Sequence, residues 1–441
     1  MSTPAHVPSL PQEIIDLILD YVFVLGHDST TDISTCALIC RAFRPRCQMH
    51  LFRKVELTSS ETRNRVERIN DFQTILHCSN NIALYVQAIR LTIWSHDSAW
   101  LACYSALAAL LSQIIELGGC PQELEIEGSD PFIPQAFPER AALNESASYP
   151  FQLITPSITS IRLSAVSNVP PALLSGCPNL TRLRLVCTDV NTLDDHSVLE
   201  VDPARSKPQI ESLEFDRPTG TMRVVLDTFE KTTAIVDLSR LKVLRSTINR
   251  QNIRYIEKIV NASANHLEEI HLRSSSMYGE FYYEDWDEIP FHFDFEHILN
   301  LRILSLAVAV DRTLELGTTE EIFENICGVI KSIPRTGVFE TLNLHAELEL
   351  TDMVTFIEEF ESSWHLLEFS IVALASKRRL SLNVYLEVSP TFHDDRDGSE
   401  AEPPLPDFQA QLTKRLAIAA TSPNIILKVY TSRLGSDAGE A

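Results

Sequence analysis

Between Tyr278 and His297 the rings of Tyr282, Tyr283, Trp286, Phe291, Phe293 and Phe295 are interleaved with the carboxylates of Glu280, Glu284, Asp285, Asp287, Glu288, Asp294 and Glu296, with no Lys or Arg between them. Aromatic faces attract cations and carboxylates add charge-assisted hydrogen bonds, so the mixture suits recognition of a basic peptide. Tyr282, Tyr283, Trp286, Asp285, Asp287 and Glu288 form the candidate partner loop. The same pattern equally suits a loop that tucks its rings against the body and leaves its carboxylates in water. Repulsion among those carboxylates is what a basic partner would relieve.

Other chemistry-bearing clusters are weaker. Cys36, Cys40, Cys47 and His50 include one helical i,i+4 pair, but the second pair lies beyond Pro45 and lacks zinc-ligand spacing, so these cysteines read as small core residues. Lys377-Arg378-Arg379 reads as a solvated strand entry rather than a localisation signal. No P-loop, G-x-S-x-G, H-E-x-x-H or G-x-G-x-x-G motif occurs, and 13 glycines in 441 residues leave few loops able to cradle a phosphate. No catalytic residue, cofactor site or metal site is therefore expected, and a non-enzymatic binding protein is.

Asp and Glu outnumber Lys and Arg 60 to 37, a formal net charge of -23 that disfavours nucleic acid and anionic membrane as partners. Within residues 36–54, however, the only charges are Arg41, Arg44, Arg46, Arg53 and Lys54. Nine cysteines with no CxxC pair do not form a disulfide framework, and reduced thiols in cytoplasm or nucleus are expected. Asp16 and Asp20 interrupt the first apolar stretch, which has neither the basic lead of a signal peptide nor the length of a membrane span. The Asn-x-Ser/Thr triplets at Asn144, Asn179 and Asn261 then read as chance matches.

What must position these residues begins with helices. Ser9-Leu10-Pro11-Gln12 has the form of a capping box with proline in the first turn. The apolar residues that follow, Ile14, Ile15, Leu17, Ile18, Leu19, Val22 and Phe23, fall on more than one helical face, so a single packing wall cannot cover them. After a break at Gly26-His27-Asp28, a second helix is expected from Ser29-Thr30-Thr31-Asp32 to about Arg44, ended by Pro45. A short third turn over 46–51 leads into an alternating strand at 52–57.

Leu10-Pro11-Gln12-Glu13-Ile14-Ile15-Asp16-Leu17-Ile18-Leu19, with Ala37-Leu38-Ile39-Cys40-Arg41-Ala42-Phe43-Arg44 and Leu51-Phe52-Arg53, resembles the F-box family over roughly residues 7–57. The resemblance implies a three-helix module that docks on the Skp-type adaptor of cullin-RING ubiquitin ligases. It places Leu10, Pro11, Ile14, Ile15, Leu19, Leu38, Ile39, Cys40 and Phe43 at adaptor-binding or core apolar positions, Phe43 standing where many members carry tryptophan. A module that merely caps the body is the plainer alternative.

From residue 60 onward the pattern L-x-x-L-x-L returns as Val86/Ile89/Leu91, Ile158/Ile161/Leu163, Leu180/Leu183/Leu185, Ile210/Leu213/Phe215, Leu267/Ile270/Leu272, Leu301/Leu304/Leu306, Phe339/Leu342/Leu344 and Leu366/Phe369/Ile371, with partial copies at Leu124/Ile126 and Leu241/Leu244. Intervals of about 22 to 38 residues separate them. L-x-L puts two apolar side chains on one strand face, and stacking such strands makes a parallel sheet. Helical stretches are expected over 99–117, 222–229, 252–262, 319–332 and 351–364, and loops over about 128–157, 277–297 and 389–408, of which the first and last are expected to be mobile. The pattern resembles leucine-rich-repeat proteins, except that Val166, Thr188, Ser275, Ala309 and Glu347 replace the turn asparagine. An α/β domain whose strands happen to read L-x-L is the alternative.

The expected fold class is thus α/β: an N-terminal three-helix F-box-like module over 1–57, an irregular leucine-rich-repeat-like α/β solenoid with a parallel sheet over 58–434, and a disordered tail over 435–441. The whole is similar to the large group of fungal F-box proteins with degenerate repeats. That resemblance implies an adaptor-binding substrate receptor of a Skp-cullin-F-box ubiquitin ligase, which recruits an unknown protein substrate for ubiquitin-dependent degradation. A protein-interaction scaffold with no role in ubiquitination is the alternative.

Overall fold

The computed structural model describes residues 10–25, 29–58, 65–93, 104–129, 135–136, 150–167, 169–188, 207–216, 235–248, 253–274, 293–311, 316–335, 337–350, 361–390 and 405–433. Contacts divide the chain into two compact units, Met1–Pro208 with Thr228–Val236, and Gln209–Asp227 with Asp237–Ala441. Both are mixed α/β, and the strands of the sheet are parallel. The tail over 435–441 and the helix expected over 222–229 lie outside the described residues.

The first unit starts with three helices, α1 (Gln12–Leu25), α2 (Ser29–Ile39) and α3 (Arg44–Phe52), which share a small core of Leu19, Ile33 and Cys47. Pro45 does not simply end α2, as expected from the sequence. Helix α2 stops at Ile39, and Pro45 lies in the first turn of α3, where its missing N–H has no intrahelical acceptor to lose. Phe52 accordingly closes α3 instead of opening a strand.

Strand β1 (Lys54–Thr58) then pairs with β2 (Ala88–Ile93), α4 (Arg65–Cys78) lying between them in the chain. Helix α5 (Tyr104–Glu116) leads to β3 (Glu123–Gly128), and the two-residue β4 (Gln135–Ala136) precedes β5 (Ser160–Ser164), β6 (Val166–Ser167), α6 (Pro171–Ser175) and β7 (Arg182–Val186). The register runs Val55, Ile89, Leu124, Ile161, Leu183 and, two residues on, Leu57, Leu91, Ile126, Leu163, Leu185. All of these side chains are buried. Gly118, at φ +84, ends α5: its N–H reaches Ile115 O at 2.9 Å while Gly119 N–H reaches Ile114 O at 2.8 Å, a Schellman turn that a side chain at 118 would strain.

The second unit contains β8 (Ser212–Asp216), β9 (Val243–Ile248), α7 (Ile253–Ser263), β10 (Glu269–Ser274), β11 (Ile303–Asp311), α8 (Leu316–Ser332), β12 (Thr341–Leu350), α9 (Glu361–Ala375), β13 (Leu380–Pro390), α10 (Leu405–Arg415), α11 (Ala417–Thr421) and β14 (Ile425–Arg433). Leu213, Leu244, Ile270, Leu304, Leu342 and Leu382 stand opposite one another and are fully buried. Among the described residues, neighbouring strands of the sheet follow chain order within each unit, without the reversal of strand order at which open α/β sheets form a ligand crevice.

Three expectations need correction here. Leu366/Phe369/Ile371 is no strand: it lies on α9, where Trp364, Leu367, Ile371 and Leu374 are buried and Phe369 points to solvent. Helical spacing of the buried set overrode the L-x-L match, and the strand comes later, at β13. The 128–157 segment is not wholly a mobile loop either. Its last part, a 3-10 turn at Pro150–Leu153, packs on α5 and buries Phe151 and Ile154, and apolar surface of that size is enough to hold it. Likewise 389–390 completes β13 and 405–408 begins α10.

Candidate functional site

Helix α1 carries two apolar stripes. Ile15, Leu19, Val22 and Phe23 face inward onto Ile33 and Cys47, joined by Cys36, Ala37, Phe43 and Leu51. Ile14, Leu17, Ile18, Tyr21 and Val24, spaced i, i+3, i+4, i+7, i+10, form the other stripe and are exposed, Leu17 by 68% and Val24 by 76%. Leu10 precedes the stripe, and Leu38, 84% exposed, and Ile39 add to the exposed apolar surface from α2. Among the described residues nothing of the same chain covers these side chains.

Polar contacts link the helices of this small module around its core. Asp20 on α1 accepts Arg46 Nε–H at 2.6 Å and lies 2.8 Å from His50 Nε2, both on α3. The Arg46 hydrogen bond, aided by His50 and opposed by partial burial, holds the Asp20 carboxyl below its ordinary value, and Asp20 in turn raises Arg46. His50 stacks on Phe23 with ring centroids 4.5 Å apart. Gln12 Nε2 donates to Ala42 O at 3.1 Å and so ties the start of α1 to the turn before α3.

The structure thus separates the residues grouped by sequence. Leu10, Pro11, Ile14, Leu38, Ile39 and Cys40 are exposed, Ile15 and Phe43 are half-buried against the module's own core, and Leu19, 2% exposed, belongs to that core. Tyr21 and Val24 extend the exposed stripe beyond the residues singled out from sequence; the i+7 and i+10 spacing from Ile14 is the signal that would have found them.

Tyr282, Tyr283, Trp286, Asp285, Asp287 and Glu288 lie outside the described residues. The end of that segment is described: Phe293 and Phe295 are buried, stacked at 5.8 Å, and tied to α8 by Ser332 Oγ, which donates to Phe293 O and accepts from Phe295 N–H. Asp294 and Glu296 remain exposed, so this part tucks its rings inward. Cys47 is buried, which pushes its thiol up, with further increments from Cys36 and Cys40. In the basic run, Arg378 donates to Pro334 O at 2.7 Å across to another turn of the unit, while Lys377 and Arg379 are exposed.

Two buried charged residues escaped the sequence reading. Arg65, at the start of α4, donates to Leu57 O and to Thr92 O at the ends of β1 and β2. Glu368 on α9 accepts the N–H groups of Ile418 at 2.6 Å and Ala419 at 3.0 Å, placing a carboxylate at the first turn of α11. Both are tertiary contacts, at sequence separations of 8 and 27 for Arg65 and of 50 and 51 for Glu368, that no local pattern announces.

Among the described residues no helix is long and apolar enough to cross a membrane. Neither protein-family models nor curated proteins give a match to this chain.

Proposed function

We propose that the exposed apolar face of α1 and α2 docks on a Skp-type adaptor, making this chain the substrate receptor of a Skp-cullin-F-box ubiquitin ligase, with a leucine-rich-repeat-like solenoid as its target-binding body. The observation that carries this reading is the double stripe of α1. One stripe builds the module, and the second is left exposed by the described residues. Shielding five such side chains supplies on the order of 10 kcal/mol before the entropic costs of association, enough for stable docking. Arg41 and Arg44, both exposed, are the charges nearest in sequence to the C-terminal end of α2, in a chain that is acidic overall.

For the body, the support is the parallel strand order and the unbroken register of the L-x-L positions within each unit. No residue of this chain acts chemically in the proposed role. Its contribution is proximity, raising the effective concentration of target lysines near the ubiquitin-carrying enzyme.

The test is co-purification of the tagged chain from cells. Wild type should retrieve adaptor and cullin, and Ile14→Asp/Leu38→Asp should lose both while its thermal unfolding is unchanged, because both side chains are exposed. Equal recovery by the two chains would remove the ligase reading.

A further inference from the structure

We propose that the free edge of β14 is a separate docking surface that accepts an extended acidic segment of a partner protein as one more strand. The inference rests on the reading of the body as a partner-binding element, though not on the adaptor contact.

Strand β14 is nine residues long and, among the described residues, pairs only with β13, in parallel, from Leu380↔Ile425 to Val388↔Arg433. Asn424 O accepts Leu380 N–H at 2.8 Å, so alternation directs the backbone groups of 426, 428 and 430 toward β13 and those of Leu427, Val429 and Thr431 away from it. Gln409 on α10, donating to Val429 O at 2.8 Å, agrees with that assignment. It satisfies a single acceptor on this side, and among the described residues no strand follows. An array of donors and acceptors repeating every second residue is matched by another extended chain, which names the occupant's geometry.

Space and charge narrow it further. A groove of about 440 Å³ lies along this edge, with Gln409 and Thr413 on the helical wall and Leu427, Lys428, Val429 and Tyr430 on the strand wall. Lys428 is exposed, and among the described residues it is the only charged side chain lining the groove, although the chain carries a net charge of -23. A partner segment with glutamate or aspartate opposite Lys428 meets a local cation there, whereas a basic segment meets like charge. The edge is also held in shape: Tyr430 stacks on Tyr385 with centroids 4.8 Å apart and planes 8° apart. A pre-ordered edge costs less to extend than a flexible one. Natural edges are guarded by several charges, prolines or bulges, and in this run Lys428 is the only charged side chain described, between the exposed Ile426 and Tyr430.

Fluorescence anisotropy of the full chain with a labelled nine-residue peptide alternating threonine and glutamate tests the proposal. Saturable binding is expected, at least tenfold tighter than for the same peptide with lysine in place of glutamate. Lys428→Glu should weaken the glutamate peptide at least fivefold and narrow or reverse that preference, with unchanged unfolding and unchanged adaptor retrieval. No saturable binding, equal affinity for the two peptides, or indifference to Lys428→Glu would overturn it. Loss of adaptor retrieval in the Ile14→Asp/Leu38→Asp chain, with peptide binding intact, separates the two surfaces.

Discussion

Leu244, Ile270, Leu304, Leu342 and Leu382 on the strands and Ile14, Leu17, Val24 and Leu38 on the N-terminal helices carry similar apolar surface to opposite ends: the first set is fully buried and the second is exposed. On the strands, the L-x-L positions repeat in register, so that Leu304 stands opposite Ile270 and Leu342, and Leu306 opposite Leu272 and Leu344. In the three-helix module, α1 has two apolar stripes and the described residues supply packing for one. Apolar surface exposed in a repeated, matched environment becomes core; the same surface without a partner within the chain is available to another molecule.

Substitution can sharpen that contrast. The largest effect is expected at the ladder: Leu342→Ala should cost about 2–5 kcal/mol in urea unfolding, whereas Leu17→Ala should stay within about 0.5 kcal/mol. Comparable losses at the two positions would mean that the α1 stripe is packed after all. Next comes Glu368→Ala, which leaves the N–H groups of Ile418 and Ala419 without their acceptor and should lower stability by about 1–3 kcal/mol. Unchanged stability would show that water replaces the carboxylate at no cost.

The smallest effect is the pH response of the module. The folded Asp20 carboxyl titrates below its ordinary 3.8, so its contribution is fully present above that value and is lost as pH falls through the lower, folded one. Because Asp20 is more than a third exposed, solvent screening keeps the effect modest. An acid titration followed by circular dichroism should show a component below about pH 3.8 that Asp20→Asn removes; its persistence in the variant would assign it to another carboxylate. Glu125 is the natural comparison on the strands. Burial pushes its carboxyl up, but Lys54, hydrogen-bonded at 2.6 Å, together with Arg90 and Arg162, outweighs that and holds it below its ordinary value.

Much of this was legible before any coordinates. The strand positions Ile161/Leu163, Leu183/Leu185 and Leu304/Leu306 follow from a period of two, because alternation alone puts both side chains on one face. The two-sided apolar character of α1 was equally plain from its spacing. Leu366/Phe369/Ile371 was misread because a short apolar run satisfies strand and helix templates together, and only the burial of Trp364 and Leu374 on either side resolves it. Pro45 was read as a stop when its position also suits a helix start.

Periodicity, net charge and the absence of catalytic motifs were set by the sequence itself, since each depends on residues near one another in the chain or on totals. Which stripe of α1 becomes core, whether Phe151 and Ile154 are held by α5, where Arg65 and Glu368 find their acceptors and donors, and which edge of β14 pairs with β13 were decided only by the tertiary structure. Each of those depends on what arrives from tens of residues away, and burial and hydrogen bonding are properties of that meeting rather than of the residue.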